Sequence, residues 1–492
     1  MYDKEFKGLV MLKRIRDFLQ DDDLSIAKAA LYYMVCQILV KGMSFITTPI
    51  FSRILSKEDY GNVSNFFAWQ ALLLPLVTLD LRVTINRSRY EMAEDNDSYL
   101  STILLTSNVI TILALIIIEL NQRFFVSLFS MDMKYIRILL LYIIFQTAFD
   151  YQQIQYNIFH RYKLYVFYTM ISVFTSLALS VVLVLLMDNR FEGRIYGGVI
   201  PAVIIDAIIY FGILKRSYKP RLKYVKYAIN MAVPLIPSAL SSTILSTSDR
   251  AMITGFCGSE QTALYSIAYS VSSIAGIIWQ ALNQAWGPWL YDHLNEKKYA
   301  DIKKFSNKFS LIYGSLAVGI ILISPEIVYF MGGKEYMETV NVMPPVILAM
   351  VFQFFYAFYF DTEYFYGETY VISIGTGIAA MVNIALNFVF IPRYGYIAAA
   401  YTTMIGYLIM LIYHFLIVKF KLKKSYIYDT KYFIGVITGL VMIQLMAIFI
   451  YQRRLIRYAI IILYSILLLL IIWRYRESAK NFIEKFKNKK RG

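Results

Sequence analysis

From about Ala27 to Trp473 the chain alternates long apolar runs with short polar loops. Runs such as Leu177–Met187 and Leu463–Trp473, with their apolar flanks, reach the length a helix needs to cross a bilayer, about 20 residues. Roughly fourteen such runs fill the sequence and leave no room for a separate water-soluble domain. The expected spans are Ala27–Phe51, Gly61–Asp80, Leu100–Leu120, Ile136–Phe159, Tyr165–Met187, Ile195–Leu214, Ala228–Asp249 and Ala263–Ala285. Six more follow: Lys308–Phe330, Val340–Phe360, Val371–Ile391, Tyr396–Val418, Tyr432–Tyr451 and Tyr458–Trp473. Tyrosines and tryptophans crowd many of the ends, as they do at membrane interfaces.

Lys and Arg concentrate in alternate loops. One set comprises Lys13, Arg14 and Arg16 of the head, then Lys215–Lys226, Lys297–Lys304, Lys419–Lys424 and Lys485–Arg491. About 34 basic residues fall on that side and about 13 on the other, which predicts both termini in the cytoplasm. The loop Asp361–Tyr370 runs against the trend: it has three acids (Asp361, Glu363, Glu368) and no basic residue, yet an even helix count puts it inside. The first run follows a charged head without a small-residue cleavage site, so it reads as a retained helix.

A weak repeat runs through the spans. Leu55-Ser-Lys-Glu-Asp-Tyr-Gly-Asn-Val-Ser64 follows the first, and Cys257-Gly-Ser-Glu-Gln-Thr-Ala-Leu-Tyr-Ser266 follows the seventh. Gly193-Arg-Ile-Tyr-Gly-Gly198 and Gly395-Tyr-Ile-Ala-Ala-Ala400 sit at the sixth and twelfth spans with the same offset of about 202 residues. Six helices per copy is even, so the repeat is of the parallel kind. The expected layout is a cytoplasmic head (1–26), a first six-helix bundle (27–214), a linker (215–227) and a second bundle (228–418). Two additional spans (419–473) and a basic tail (474–492) complete an all-α polytopic membrane protein.

Composition narrows the function. The chain is 58% hydrophobic and 17% charged, against about 25% charged in soluble proteins. Its net charge of +16 sits in loops, where it reads as a topology determinant beside an anionic leaflet and not as a nucleic-acid surface. Two cysteines (Cys36, Cys257) and three scattered histidines give no support to a disulfide framework or a metal centre. There is no P-loop, nucleophile elbow or HExxH motif, and Asp21-Asp22-Asp23 reads as a solvated acidic cluster. The chain reads as a transporter and not an enzyme.

Two similar bundles make an alternating-access transporter whose site lies between them, on spans one, two, seven and eight if the first helices face each other. Those spans carry unusual charge. Lys41 lies near mid-membrane in span one, where an unpaired Lys costs about 2.5–3.5 kcal/mol on insertion scales. Arg53 lies past one end of span one, Asp249 and Arg250 end span seven, and Asp80 and Arg82 bracket an end of span two. Gln280, Asn283 and Gln284 form a polar face on span eight. Together they suggest a cationic, hydrogen-bonding cavity for an anionic, sugar-bearing substrate; for Asp249/Arg250 and Asp80/Arg82 interfacial ion pairing is an equal reading. Pro49, Pro75, Pro234 and Pro237 mark kinks or hinges. Span four is polar at Gln146, Asp150, Gln152, Gln153, Gln155 and Asn157. Asp150 and Asp206 are candidates for ion coupling, as are Asn383 and Asn387, although helix-to-helix hydrogen bonding is the commoner role.

The segment Phe45-Ile-Thr-Thr-Pro-Ile-Phe-Ser-Arg-Ile-Leu-Ser-Lys-Glu-Asp-Tyr-Gly61 resembles the first helix and loop of Wzx-type polysaccharide flippases. Asp249-Arg250, Ala263-Leu-Tyr-Ser-Ile-Ala-Tyr269, Trp286-Gly-Pro-Trp289 and Ile391-Pro-Arg-Tyr-Gly-Tyr396 fit the same family in order and spacing. The resemblance covers nearly the whole chain. It implies a MATE-like pair of bundles of the MOP superfamily that moves undecaprenyl-diphosphate-linked oligosaccharide outward across the bacterial cytoplasmic membrane. The product would be O-antigen, capsule or another surface polysaccharide. No cofactor is expected beyond an H⁺ or Na⁺ gradient. Membrane lipids, a polysaccharide polymerase and a chain-length regulator are the implied partners. Arg53 and Arg250 match the family pattern; Lys41 enters on its expected burial alone. The alternatives are a multidrug or cation exporter of the same fold, which Lys41 and the absence of an acid in span one disfavour, and a polysaccharide polymerase or ligase. The latter usually carries a large outer loop, and the longest here is about Asn121–Tyr135.

Overall fold

The computed structural model describes residues 42–489 apart from 44, 93, 94 and 160; at 162, 280, 281, 284, 285, 471, 472 and beyond 473 it describes the backbone alone. The described residues are helical throughout, joined by short turns. In chain order the helices are α1 (residues 45–54), α2 (Lys57–Val77), α3 (Ile85–Glu91), α4 (Asn96–Leu120), α5 (Gln122–Phe129), α6 (Met133–Ile158), α7 (Tyr162–Leu186), α8 (Arg190–Arg216) and α9 (Leu222–Ala232). They continue as α10 (Ile236–Cys257), α11 (Ser259–Asn295), α12 (Tyr299–Leu322), α13 (Ser324–Gly332), α14 (Met343–Phe365), α15 (Thr369–Tyr394), α16 (Tyr396–Leu416), α17 (Thr430–Ile450) and α18 (Arg454–Lys489).

Ten of these stretches are long and apolar enough to cross a membrane, or eleven if α2 and the bent segment Leu81–Glu91 form one span. Each expected span from the second to the fourteenth falls on a helix except the seventh, which is divided between α9 and α10, and the ninth, divided between α12 and α13 at Ile323; the first lies largely outside the described residues, with α1 as its end. Local chemistry sets many boundaries. Ser56 caps α2 by accepting from the Asp59 N–H at 3.0 Å, Asn189 caps α8 through the Glu192 N–H, and Asp429 caps α17 through the Tyr432 N–H. Gly258 (φ +89°) and Gly395 (φ +62°) turn the chain between consecutive helices in a conformation that favours glycine.

The helices form two bundles. The second half has one continuous apolar core running from Leu245 to Ala447. The first half has two separate cores, one around Phe66, Leu139 and Ile195 and the other around Leu100, Tyr151 and Ile209. The halves meet where α2 packs against α10 and α11, so the two repeat copies lie side by side. At that meeting point Gly61 is indispensable: a Cβ there would lie 1.8 Å from the Ser259 carbonyl oxygen. The last two helices dock on the second half. α17 packs on α12 and α14, and the nearly buried Arg457 of α18 pairs with Glu326 of α13 at 2.5 Å.

Two bends differ from simple expectation. The break after α2 comes at Leu79 and Asp80, both left-handed (φ 50° and 45°), four residues beyond Pro75, and turns the path by 55°. Within span seven, a 3₁₀ turn at Val233–Leu235 separates α9 from α10. α9 buries Tyr224, Ala228 and Ala232 in the core of the first half, whereas α10 belongs to the second.

Candidate functional site

A cavity of about 410 Å³ lies between the halves. α1 and α2 supply Thr47, Thr48, Phe51, Tyr60, Ser64 and Phe67; α10 and α11 supply Thr247, Arg250, Ser266 and Ser270; α8 supplies Arg194. Its polar lining is mostly hydroxyl, and its charged side chains, among the described residues, are two arginines. The Arg194 guanidinium lies 4.3 Å from the centre of the Phe51 ring and 5.6 Å from that of Phe67, and donates to Ser180 Oγ at 3.0 Å. Arg250 lies over the Tyr269 ring at 4.4 Å. Neither meets a carboxylate among the described residues. The Tyr60 phenol lies in the field of both, which locates the two cations, one from each half, around one region. Aromatic faces hold the guanidinium planes and leave N–H groups at their edges for an acceptor, beyond the one Arg194 gives to Ser180.

One end of the cavity is closed by a seam between the halves. Ser52 Oγ donates to the Met331 carbonyl at 2.5 Å, and Arg53 donates to the carbonyls of Phe330 (2.7 Å) and, more weakly, Tyr329 (3.4 Å) at the end of α13. Lys57 pairs with Glu338 at 3.5 Å, and Ser259 Oγ donates to Asn62 Oδ1. The hydrogen bonds and ion pairs that join the halves cluster at this end.

The structure separates the residues singled out from the sequence. Arg250 lines the cavity. Arg53 lies at the seam, where its guanidinium also donates to Pro49 O at 2.7 Å. Arg82 is paired with Asp80 at 2.6 Å, away from the cavity lining, and Asp80 is nearly buried at the bend after α2. Asp249 turns away from Arg250 into the second half: Tyr265 Oη (2.6 Å), Asn387 Nδ2 (2.6 Å) and Thr403 Oγ1 (2.5 Å) donate to its carboxylate. Asn383 reaches Thr403 at 3.5 Å, so Asn383 and Asn387 join one buried network around this acid. Asn283 is half-buried with Oδ1 unpartnered. Lys41 and the side chains of Gln280 and Gln284 lie outside what is described. Asp150 and Asp206 lie in the interior of the first half. The polar end of span four, with Gln152 and Gln155, faces a separate pocket of about 530 Å³ shared with Asp97, Arg161 and Arg216.

Sequence reasoning missed Arg194 and the hydroxyl lining. Arg194 reads as one more interfacial cation at the start of a span; only the packing of Gly197 against the backbone of Ser180 (2.2 Å from a would-be Cβ) draws α8 against α7 and places it.

A model of a family described as polysaccharide biosynthesis protein matches residues 26–294. A curated relative, Lsg locus protein 1 of Haemophilus influenzae, is 23% identical over 400 residues, covering 76% of this chain and 96% of its own length. Among solved structures, the lipid II flippase MurJ in an inward closed conformation has a similar fold. Its TM-score is 0.67 at 17% identity, over 92% of this chain and all of that one. An inward-facing multidrug resistance MATE family transporter of the MOP superfamily matches with a TM-score of 0.57 at 14% identity, over 81% and 98% of the respective chains.

Proposed function

The chain belongs to the polysaccharide biosynthesis protein family, and from that premise, joined to its transporter fold and multi-pass membrane architecture, we propose that it is a flippase for undecaprenyl-diphosphate-linked oligosaccharide. The observation that carries this reading is the pair of carboxylate-free arginines, Arg194 and Arg250, contributed to one cavity by opposite halves. A diphosphate is a dianionic ligand that two guanidiniums can bridge with charge-assisted hydrogen bonds. The hydroxyls of Thr47, Thr48, Ser64, Thr247, Ser266 and Ser270 suit sugar hydroxyls, and the polyprenyl tail stays in lipid. Movement follows by rocking of the halves, with the Arg53–Ser52 seam opening outward, driven by an H⁺ or Na⁺ gradient. The charge bias of the loops supports a bacterial cytoplasmic membrane protein with the seam on the outer face and both termini inside. A polymerase and a chain-length regulator would then act on the product, as O-antigen, capsule or exopolysaccharide. A cation exporter of the same fold would want carboxylates where this cavity has arginines.

The test is translocation of a defined lipid-linked sugar by the protein in vesicles, with Arg194→Ala, Arg250→Ala and the double variant. Losing one charged hydrogen-bonding partner costs about 1.5–3 kcal/mol, roughly ten- to a hundredfold in affinity. Each single variant should show that loss at normal membrane levels. Wild-type translocation by the double variant would refute the cationic site.

A further inference from the structure

The interior of the first half contains a polar layer at one level of four helices. The fully buried residues of its two apolar cores part between Val77 and Leu81, between Leu104 and Ile118, between Ile143 and Ala148, and between Val199 and Ile209, with the partly buried Leu79, Ala114, Leu115, Val203 and Ile205 packed at their edges. Most polar groups there are matched. Ser107 donates to the Thr78 carbonyl (3.2 Å) and bonds Tyr151 Oη at 2.6 Å, Thr111 donates to the Val77 carbonyl (3.0 Å), and Gln70 donates to Gln146 (2.6 Å). The second half has no such interruption in its core, and Asp249 there is fully hydrogen-bonded; its other buried acids, Asp361 and Glu363, expected in a loop, lie on the last turns of α14, where Glu363 bonds His414 Nδ1 (2.8 Å) and Asp361 Oδ2 has no partner among the described residues.

Asp206 of α8 lies in this layer, 3% exposed. No hydrogen bond or ion pair reaches its carboxylate from the described residues. The ionisable groups that face it come from α6: Asp150, whose field reaches it directly, and Tyr142. Arg82 acts on Asp150 and is already paired with Asp80. α4 contributes the neutral Asn108, which donates to Tyr210 Oη of α8 (3.0 Å) and has an unpartnered Oδ1. α2 contributes Gln70, bonded to Gln146. From α7 the ionisable lysine, Lys163, is at the far end of the helix.

An ionised carboxylate without donors deep in a membrane protein is expensive, and the carboxylic acid is the form that fits. The layer also holds an acceptor without a donor, Asn108 Oδ1, so it has no spare donor to offer a carboxylate. We propose that Asp206 is a proton-binding site of the transport cycle. It carries a proton in this seam-closed state and surrenders it toward Asp150, which is half-buried, beside the partly exposed Arg82. The proton adds to one carboxylate oxygen on binding and leaves to water or to the Asp150 carboxylate, with no other bond made or broken. The coupling role, though not the protonation, rests on the flippase reading.

The test is an infrared difference titration of the protein in lipid vesicles from acid to alkaline pH, with no transport substrate present. The measurement is made in an Asp361→Asn background, which removes the other buried aspartate with an unpartnered oxygen, and there a titrating protonated-carboxyl C=O band should remain. Asp206→Asn should lose it, Asp206→Glu should keep it at a shifted frequency, and Asp249→Asn should leave it intact. Asp150→Asn should move the pH at which it titrates. Absence of the band in the Asp361→Asn background, or its survival there when Asp206→Asn is added, overturns the site. In cells, Asp206→Asn should abolish surface polysaccharide at normal membrane levels while Asp206→Glu restores it; normal polysaccharide in Asp206→Asn refutes coupling. If deleting the gene leaves surface polysaccharide unchanged while the band persists, the flippase reading fails and the proton site stands.

Discussion

Replacing Gly61 by alanine should force the seam open. The added Cβ would lie 1.8 Å from the Ser259 carbonyl oxygen and 2.4 Å from its carbon, whereas ordinary contact begins at 3.4 Å. The obstacle is backbone and cannot swing aside, so the halves must separate by 1.6 Å (3.4 minus 1.8). Stretched along their axes by that amount, the Ser52–Met331 bond (2.5 Å) becomes 4.1 Å and the Arg53–Phe330 bond (2.7 Å) becomes 4.3 Å. Both exceed hydrogen-bonding range. With the Ser259–Asn62 bond, two neutral bonds and one charged one are lost, about 4 kcal/mol. A free-energy change of that size shifts a two-state equilibrium roughly a thousandfold. Pulsed electron resonance between spin labels at Phe124 and Tyr329, exposed on opposite halves, reads the separation in a background with Cys36 and Cys257 replaced. Gly61→Ala should lengthen the distance. Gly276→Ala, whose Cβ would meet nothing nearer than Met350 Sδ at 4.0 Å, should leave it alone. An unchanged distribution in Gly61→Ala would refute the seam as the contact that holds this state.

Arg457→Ala should take from Glu326 its two bonds to the guanidinium, leaving that from Tyr458 Oη, and loosen α18. Because Glu326 is 40% exposed, water takes up part of the loss, which is about 1.5–3 kcal/mol; the melting temperature in detergent should fall, and Arg457→Lys, which keeps one bond, should fall less. Asp249→Ala should leave Tyr265, Asn387 and Thr403 without their shared acceptor, at about 1–3 kcal/mol for each stranded group. Asp249→Asn retains an oxygen and two hydroxyl acceptors for its new N–H, so its melting should lie well above that of Asp249→Ala; equal values would contradict the network.

The helices were legible because apolar runs of spanning length have few alternatives, and the offset of about 202 residues already implied paired bundles. What the runs concealed was direction. Arg53 and Arg250 look equivalent as cations at span ends, yet one is consumed by the carbonyls of Tyr329 and Phe330 and the other faces the cavity. Those carbonyls belong to a segment more than 270 residues away, and backbone oxygens carry no sequence signal. Asp249 is adjacent to Arg250 in sequence, which suggests pairing, but successive helical residues point about 100° apart. Pro75 announced a bend, though of the left-handed residues that make it, Leu79 and Asp80, Leu79 has a side chain that gives no hint of it. The stretch before Pro234 read as a linker running into a span because of its basic run Lys215–Lys226; Tyr224, Ala228 and Ala232, four residues apart, make the stripe that seats α9 on the first half.

That seating gives the two halves a mechanical linkage. α9 is fastened to one body and α10 to the other, so the joint at Val233–Leu235 must bend whenever the bodies rotate. Pro234 and Pro237 carry no N–H there, so bending sacrifices little hydrogen bonding. Beyond the joint α10 is a lever of 22 residues, about 33 Å long. A turn of about 10° at the joint would carry its far end through about 6 Å, several times the clearance that parts Gly61 from Ser259. A small angular change among prolines on one face of the membrane is thereby geared up to a full release on the other.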